Sequence, residues 1–453
     1  MTPALHTLRC RHALAVRALA GLALARAVIA FTVLSALLLT ALVALVRWPR
    51  HHVTSSLASV DADLAPPAPL GALLAVAFLG SVSGGAFWAG LFFVTAGHYH
   101  FSEQRNLVLA ALMGAVSMFG ARASATIARR FSPRGALAGA LMTWALVSLM
   151  PSAFPRAEWL LWATAIVGCT CGGVIWPVVE SALAAGRHGT EMRSALGWFN
   201  VTWTSATTVP LLILPLVSRW GLTASLALAA AMNTLALLAV RVLPRRSTTH
   251  HADTAASAAK LGVEYRWLLR SSAWLLPASY VISSALSPVL PHRIAQVMTS
   301  GYAASQVAAL WMGARFFALV IMWRARFWHG RWETLAVAGF ALLGGLAAVL
   351  LTHSAFGLIA GLLLYGAGMG ITYFAALYYS MAVGHAAIDA GGNFEALIGL
   401  GYCIGPLLAL TGHLVSSPTH ADSTIVIFMW SAAALASPGI LRPYFAARAQ
   451  RRD

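Results

Sequence analysis

From Leu70 to Phe445 the chain alternates long apolar stretches with short polar ones. Twelve of the stretches approach or exceed the roughly 20 residues a helix needs to cross the hydrocarbon core of a bilayer. They fall at 71–97, 106–128, 135–153, 159–184, 195–217, 221–243, 272–294, 304–325, 333–352, 356–383, 391–415 and 423–445, and are numbered here as spans 1 to 12. A further apolar run, 26–47, precedes them. The longest charged connection, Leu243 to Arg270, divides the spans into six plus six. The expected organisation is an N-terminal hydrophobic segment and linker at 1–69 and a six-helix half at 70–243. A central loop at 244–270, a second six-helix half at 271–445 and a tail at 446–453 follow.

Composition narrows the class. Hydrophobic residues make up 59% and charged residues 9% of the chain, against about 25% charged in a soluble domain. So few charges cannot cover the surface of a soluble protein of this length. A cytosolic enzyme, a disordered chain and a DNA-binding domain are excluded, and an all-α polytopic membrane protein remains. The net charge of +17 does not point to nucleic acid, because the basic residues sit in clusters between apolar runs, where they face anionic lipid. With the start of span 1 inside, the inside connections from span 1 onward hold 19 Lys or Arg and the outside ones four: Arg105, Arg156, Arg219 and Arg293. The central loop and the tail are therefore expected in the cytoplasm.

The run at 26–47 does not fit this count. Arg9, Arg11, Arg17 and Arg26 would hold its start inside, and one crossing would then leave 48–69 outside, where span 1 cannot begin. Three readings stay open: insertion with the N-terminus outside, a surface-lying segment, or translation beginning nearer Val53.

The four cysteines, Cys10, Cys169, Cys171 and Cys403, lie in or beside apolar segments, without the His or Asp neighbours of a metal site, and read as packing residues. No nucleotide-binding loop, zinc-protease motif or nucleophile elbow occurs. Neither a cofactor nor an enzymatic activity is implied.

After span 2 comes Ala125-Thr126-Ile127-Ala128-Arg129-Arg130-Phe131-Ser132-Pro133-Arg134. It resembles the 2–3 loop signature of the major facilitator superfamily, Gly-x-Leu-Ala-Asp-Arg-x-Gly-x-Arg. Ile127, Ala128, Arg130 and Arg134 match; Ala125, Arg129 and Ser132 replace the first Gly, the Asp and the later Gly. The corresponding place in the second half, Arg324 to Arg331, is also basic. Phe199-Asn200 precedes Pro210 in span 5 much as Phe394-Glu395 precedes Pro406 in span 11, as duplicated halves would. Span 11 carries Gly401-Tyr402-Cys403-Ile404-Gly405-Pro406, similar to an antiporter motif that the superfamily keeps in span 5; antiport is not inferred from it.

The resemblance covers 70–445. It implies a 12-helix bundle of two halves, a solute site near the midplane between them and alternating access. The expected partners are a small-molecule substrate, membrane lipid and protons, and the expected location is a bacterial cytoplasmic (inner) membrane. A non-transporting sensor or assembly partner on the same fold is the alternative. Direction, coupling ion, substrate identity and oligomeric state stay open.

Ionisable side chains inside spans are costly and face cavities or partners. Spans 3, 6, 9 and 12, peripheral in the superfamily, have none in their middles. Glu180 in span 4, Arg315 in span 8 and Glu395 in span 11 belong to spans the resemblance places at the cavity. Arg315 is a candidate dock for an anion, with Trp311 one turn away to stack on it; the alternative is a structural pair with a helix carbonyl or with Glu395. Glu180, on one helical face with Gly173 and Trp176, can couple to protons or substrate, or can pair with Arg187 or Arg193 at an inner gate. Glu395 admits the same two readings. Asn200, Trp203, Thr204 and Thr207 in span 5, Tyr280, Ser283, Ser284 and Ser287 in span 7, and Thr372, Tyr373, Tyr378 and Tyr379 in span 10 complete an aromatic cavity with few charges. Such a cavity suits an amphipathic or weakly anionic organic molecule. Arg315, Trp311, Trp176, Tyr280, Trp203, Asn200 and Tyr379 are the candidate substrate contacts, and Glu180, Glu395, Arg130 and Arg134 the candidate coupling or gate residues.

Overall fold

Twelve long helices and no strand make up the described residues of the computed structural model, which are 67–154, 157–187, 189–220, 222–244, 263–298, 304–383, 388–416 and 420–450. The run at 26–47, Cys10 and most of the central loop, with Lys260, lie outside them. The first half contains α1 (Leu70–His98, with a π-helical turn at Ala86–Gly90), α2 (Glu103–Phe131), α3 (Pro133–Ala153), α4 (Glu158–Ala184), α5 (Gly189–Val217) and α6 (Leu222–Val240). The second contains α7 (Val263–Val297), α8 (Ala304–Arg324), α9 (Trp332–Leu351), α10 (Ala355–Val383), α11 (Ile388–Val415) and α12 (Ala421–Gln450).

Among the described residues, ten of these helices are long and apolar enough to cross a membrane by length and composition alone. The other two, α3 and α6, pack on each other beside α1 and α4. The helices turn large apolar side chains outward: Phe340 is 79%, Phe356 82% and Leu435 83% exposed. Such side chains are stable in that position only against lipid or a partner.

Local sequence sets the helix ends. Ser102 caps α2 through the Arg105 amide, Glu103 sits in its first turn and Arg129 and Arg130 in its last, each complementing the helix dipole. Ser132 then starts α3, its hydroxyl accepting from the Gly135 amide at 3.1 Å with Pro133 at the first helical position. Ser132 has φ 69° and ψ 155°, a conformation that is essentially glycine's. This is a physical reason for the glycine that the superfamily signature carries at this place.

Hydropathy underestimates several helices. α7 begins at Val263, before the expected 272, and α12 continues to Gln450, past the expected 445. Beyond the apolar stretch these extensions meet, the Trp267 indole donating to Gln450 Oε1 at 3.0 Å. A polar continuation of a helix leaves no trace in a window that scores apolarity.

The halves meet along α2 with α11 and α5 with α8. Gly114 on α2 lies directly against the Tyr402–Cys403 backbone of α11, where a Cβ has no room. Gly401 and Gly405 do the same for α11 against α7, which gives the span 11 glycine motif a packing role. Gly370 on α10 sits where a Cβ would lie 2.7 Å from the Arg315 carbonyl, holding α8 close behind the charged side chain.

Candidate functional site

Between the halves lies a cavity open to solvent, with about 930 Å³ of space free of protein atoms including its mouth. Its lining comes from α1, α2, α4, α5, α7, α8, α10 and α11; among the described residues α3, α6, α9 and α12 contribute nothing. Of the sequence candidates, Arg315, Trp311, Trp176, Tyr280, Trp203, Glu180 and Glu395 all line it.

Arg315 is 3% exposed. Its Nη2 donates to the Tyr280 hydroxyl at 2.9 Å. Three rings surround the guanidinium carbon, with centroids at 4.5 Å (Trp203), 5.1 Å (Tyr373) and 5.8 Å (Tyr280). The stacking partner is thus Trp203, across the interface on α5, while Trp311 packs on Tyr365 at 5.4 Å. Helical spacing brings Trp311 near Arg315, but only the packing of the halves presents an indole face to the cation. The Nε of Arg315 is buried without a hydrogen-bond partner. Among the described residues the guanidinium forms no ion pair within 4 Å with Glu180 or Glu395.

Asn200 stands behind this arrangement. Its Oδ1 accepts from the Trp203 indole at 2.9 Å, and its Nδ2 donates to the Leu196 carbonyl at 2.9 Å. It fixes the ring that faces Arg315 and is not itself part of the lining.

Glu180 is 2% exposed and accepts from the Tyr373 hydroxyl at 3.4 Å, again across the interface. Arg187, an expected partner, turns away. Its Nη1 donates to the carbonyls of Ala182 and Leu183 at 3.2 and 2.8 Å and its Nη2 to that of Ala68, closing the end of α4 onto the start of α1. The unsatisfied carbonyls at a helix end are better placed for a guanidinium two turns from Glu180 than the acid is.

Three candidates lie elsewhere. The Tyr379 hydroxyl accepts from the Gly330 amide at 3.2 Å, in a ring cluster with Trp328 and Tyr265 at the arginine-rich face. His329 in the adjoining loop stacks on Tyr378 at 4.7 Å; burial, then Arg193 and Arg326, push its pKa below the ordinary value. Arg134 donates to the Leu243 carbonyl at 3.4 Å, within its own half, and Arg130 lies exposed over Phe131.

Most of the other lining residues were absent from the candidates, and two of them are large aromatics that stack on each other. Trp88, carried by the π-helical turn of α1, stacks on Tyr402 of α11 at 4.2 Å and 23°. A π-helical turn marks functional positions but has no sequence signature. Tyr402 lies inside the Gly401–Pro406 motif, between glycines that seat α11 on α7.

The halves touch at both ends of the cavity. At the arginine-rich end Trp198 of α5 meets Trp323 of α8 edge to face at 5.3 Å, and Gly197 gives Trp323 its seat. At the opposite end His413 Nε2 stands 3.1 Å from a Glu103 carboxylate oxygen, and Asn106 donates to the Pro288 carbonyl at 3.5 Å.

No protein-family profile matches the sequence, and no curated protein matches it. Solved structures do. The nucleoside transporter NupG superposes with a TM-score of 0.61 at 13% identity, covering 82% of this chain and 98% of that one. The human organic anion transporter MFSD10 gives 0.59 at 14%, covering 83% and 98%. The major facilitator superfamily transporter FucP, in its outward conformation, gives 0.53 at 12%, covering 82% and 98%. Likeness at these identities shows the fold: this chain has the architecture of major facilitator superfamily transporters, an integral membrane bundle of two six-helix halves.

Proposed function

We propose that the chain is a secondary active transporter of a small organic, weakly anionic solute, coupled to protons and working by alternating access. The observation that carries this reading is Arg315, a buried cation in a cavity between the halves whose Nε has no protein partner. A buried, unpaired donor on a charged group is costly, and an anionic ligand supplies the missing acceptor. Two acids and one base line the cavity. With all three ionised it carries one net negative charge, and one proton neutralises it. Adding a monoanion restores the deficit, and a second proton cancels it, so one proton accompanies each monoanion. Charge in a low-dielectric site is expensive enough to enforce that balance.

The test is transport by the purified chain in proteoliposomes. A panel of labelled organic anions should accumulate under an imposed pH gradient and only equilibrate without one. Arg315→Ala should abolish movement. Glu180→Gln should uncouple it, keeping solute exchange while losing gradient-driven accumulation. Transport indifferent to Arg315→Ala would reject the anion site, and accumulation indifferent to the gradient would reject proton coupling.

A further inference from the structure

We propose that the cavity takes an aromatic monocarboxylate, its carboxylate on the Nε edge of Arg315 and its ring against Tyr402 and Trp88. This rests on the transport reading above and narrows its substrate class.

The guanidinium decides the head group. Rings of Trp203, Tyr373 and Tyr280 stand around it, and the Tyr280 hydroxyl occupies one Nη2 proton. The unpartnered Nε proton lies in the guanidinium plane. A planar carboxylate approaching in that plane can take Nε–H and a neighbouring Nη–H together, the paired geometry a guanidinium favours. Arg315 is the only cation among the described lining residues, while Glu180 and Glu395 are both there. A second negative charge on the ligand would face two acids and no base. The head group is therefore a single carboxylate.

The walls decide the body. Tyr280 leans edge-on against Tyr402 at 5.1 Å, and Tyr402 stacks on Trp88 at 4.2 Å, so rings run without a break from the hydrogen-bond partner of Arg315 to α1. Ser117, Gly172, Gly84 and Gly85 in the N-terminal half add lining with little bulk. Gly85 cannot be larger, since its Cβ would lie 2.7 Å from the Thr207 carbonyl. Ring faces beside small residues suit a flat body. Ring–ring contact adds roughly 2–12-fold in affinity beyond the area buried.

The experiment measures binding to the purified full chain in lipid nanodiscs by calorimetry, with five probes. Benzoate and indole-3-carboxylate carry both features. Cyclohexanecarboxylate keeps the carboxylate without the aromatic ring, benzamide keeps the ring without the charge, and terephthalate adds a second carboxylate. The aromatic monocarboxylates should bind best. Cyclohexanecarboxylate should bind roughly 2–12-fold more weakly, and benzamide and terephthalate about tenfold or more below benzoate. Arg315→Gln should remove carboxylate binding. Trp88→Leu should erase the preference for an aromatic ring, and Trp88→Phe, which keeps a ring and the fold, should retain it. Equal binding of benzoate and cyclohexanecarboxylate, or a ring preference surviving Trp88→Leu, overturns the aromatic subsite and leaves the anion reading standing. Terephthalate binding as tightly as benzoate overturns the single-charge limit alone. If no carboxylate binds, or if binding is the same in Arg315→Gln, the substrate class and the anion reading both fall.

Discussion

The guanidinium of Arg315 on α8 lies 4.5 Å from the centre of the Trp203 ring on α5, so a cation of one half is covered by an indole of the other. Trp203 also meets Tyr373 of α10 edge to face at 5.3 Å. A desolvated cation–π contact is worth about 2 kcal/mol. A rocking motion that parts α5 from α8 breaks this contact, so the charge of the site and the closure of the halves are one interaction.

Removing the Trp203 face by Trp203→Leu should weaken binding of an anionic solute by roughly 2–30-fold, the range of cation–π energies. Asn200→Ala should weaken it less and in the same direction, because it frees the indole without deleting it. Combined, the two substitutions should cost little more than Trp203→Leu alone. Binding isotherms of the two single variants and the double variant check this; full additivity would show that Asn200 acts independently of Trp203.

Arg315→Lys should restore only part of the transport lost in Arg315→Ala, since an ammonium keeps the charge but lacks the planar fork. Pairing Arg315→Ala with Glu395→Ala should not recover activity. Recovery in uptake assays would mean that the arginine serves only to balance Glu395.

Glu103 on α2 and His413 on α11 approach to 3.1 Å across the halves at the end away from the arginine-rich face. Glu103→Gln with His413→Ala should shift the population toward states open at that end. A single cysteine at Ser287, which lines the cavity, reports it when Cys10, Cys169, Cys171 and Cys403 are replaced by serine. Labelling from that side should accelerate several-fold. An unchanged rate would make the pair incidental to closure.

Ser132 holds a glycine conformation at the turn between α2 and α3. Ser132→Gly should remove strain of about 1–3 kcal/mol while losing only a few tenths at the cap. The expected result is slower thermal inactivation, with Ser132→Val showing the opposite. Faster inactivation of the glycine variant would show that the cap outweighs the strain.

His329 is held below its ordinary pKa by burial, Arg193 and Arg326. Its neutral form is therefore favoured in the fold. The associated stability is fully present above about pH 6.5, the unfolded value, and is lost as pH falls from there through the lower folded value. Inactivation between pH 7 and 5 should steepen with acid, and less so in His329→Gln. Identical pH profiles would remove His329 from the account.

Apolar run lengths, the basic central connection and the scarcity of charge are properties of single segments, and a segment meets the bilayer largely on its own account. The sequence therefore determined the twelve-helix plan and its division into two halves. It also singled out Glu180, Arg315 and Glu395, because an ionisable group in hydrocarbon stands out wherever its neighbours lie. Partnership was decided by the tertiary structure. Trp203 instead of Trp311 covers Arg315, Tyr373 rather than Arg187 reaches Glu180, and Tyr379 falls outside the cavity. Each of these depends on how α5 meets α8 or how α4 meets α10, contacts between residues far apart in sequence. Trp88 and Tyr402 were hidden for the same reason. One sits on a π-helical turn that no residue pattern announces, and the other on a helix brought to α1 only by closure of the two halves.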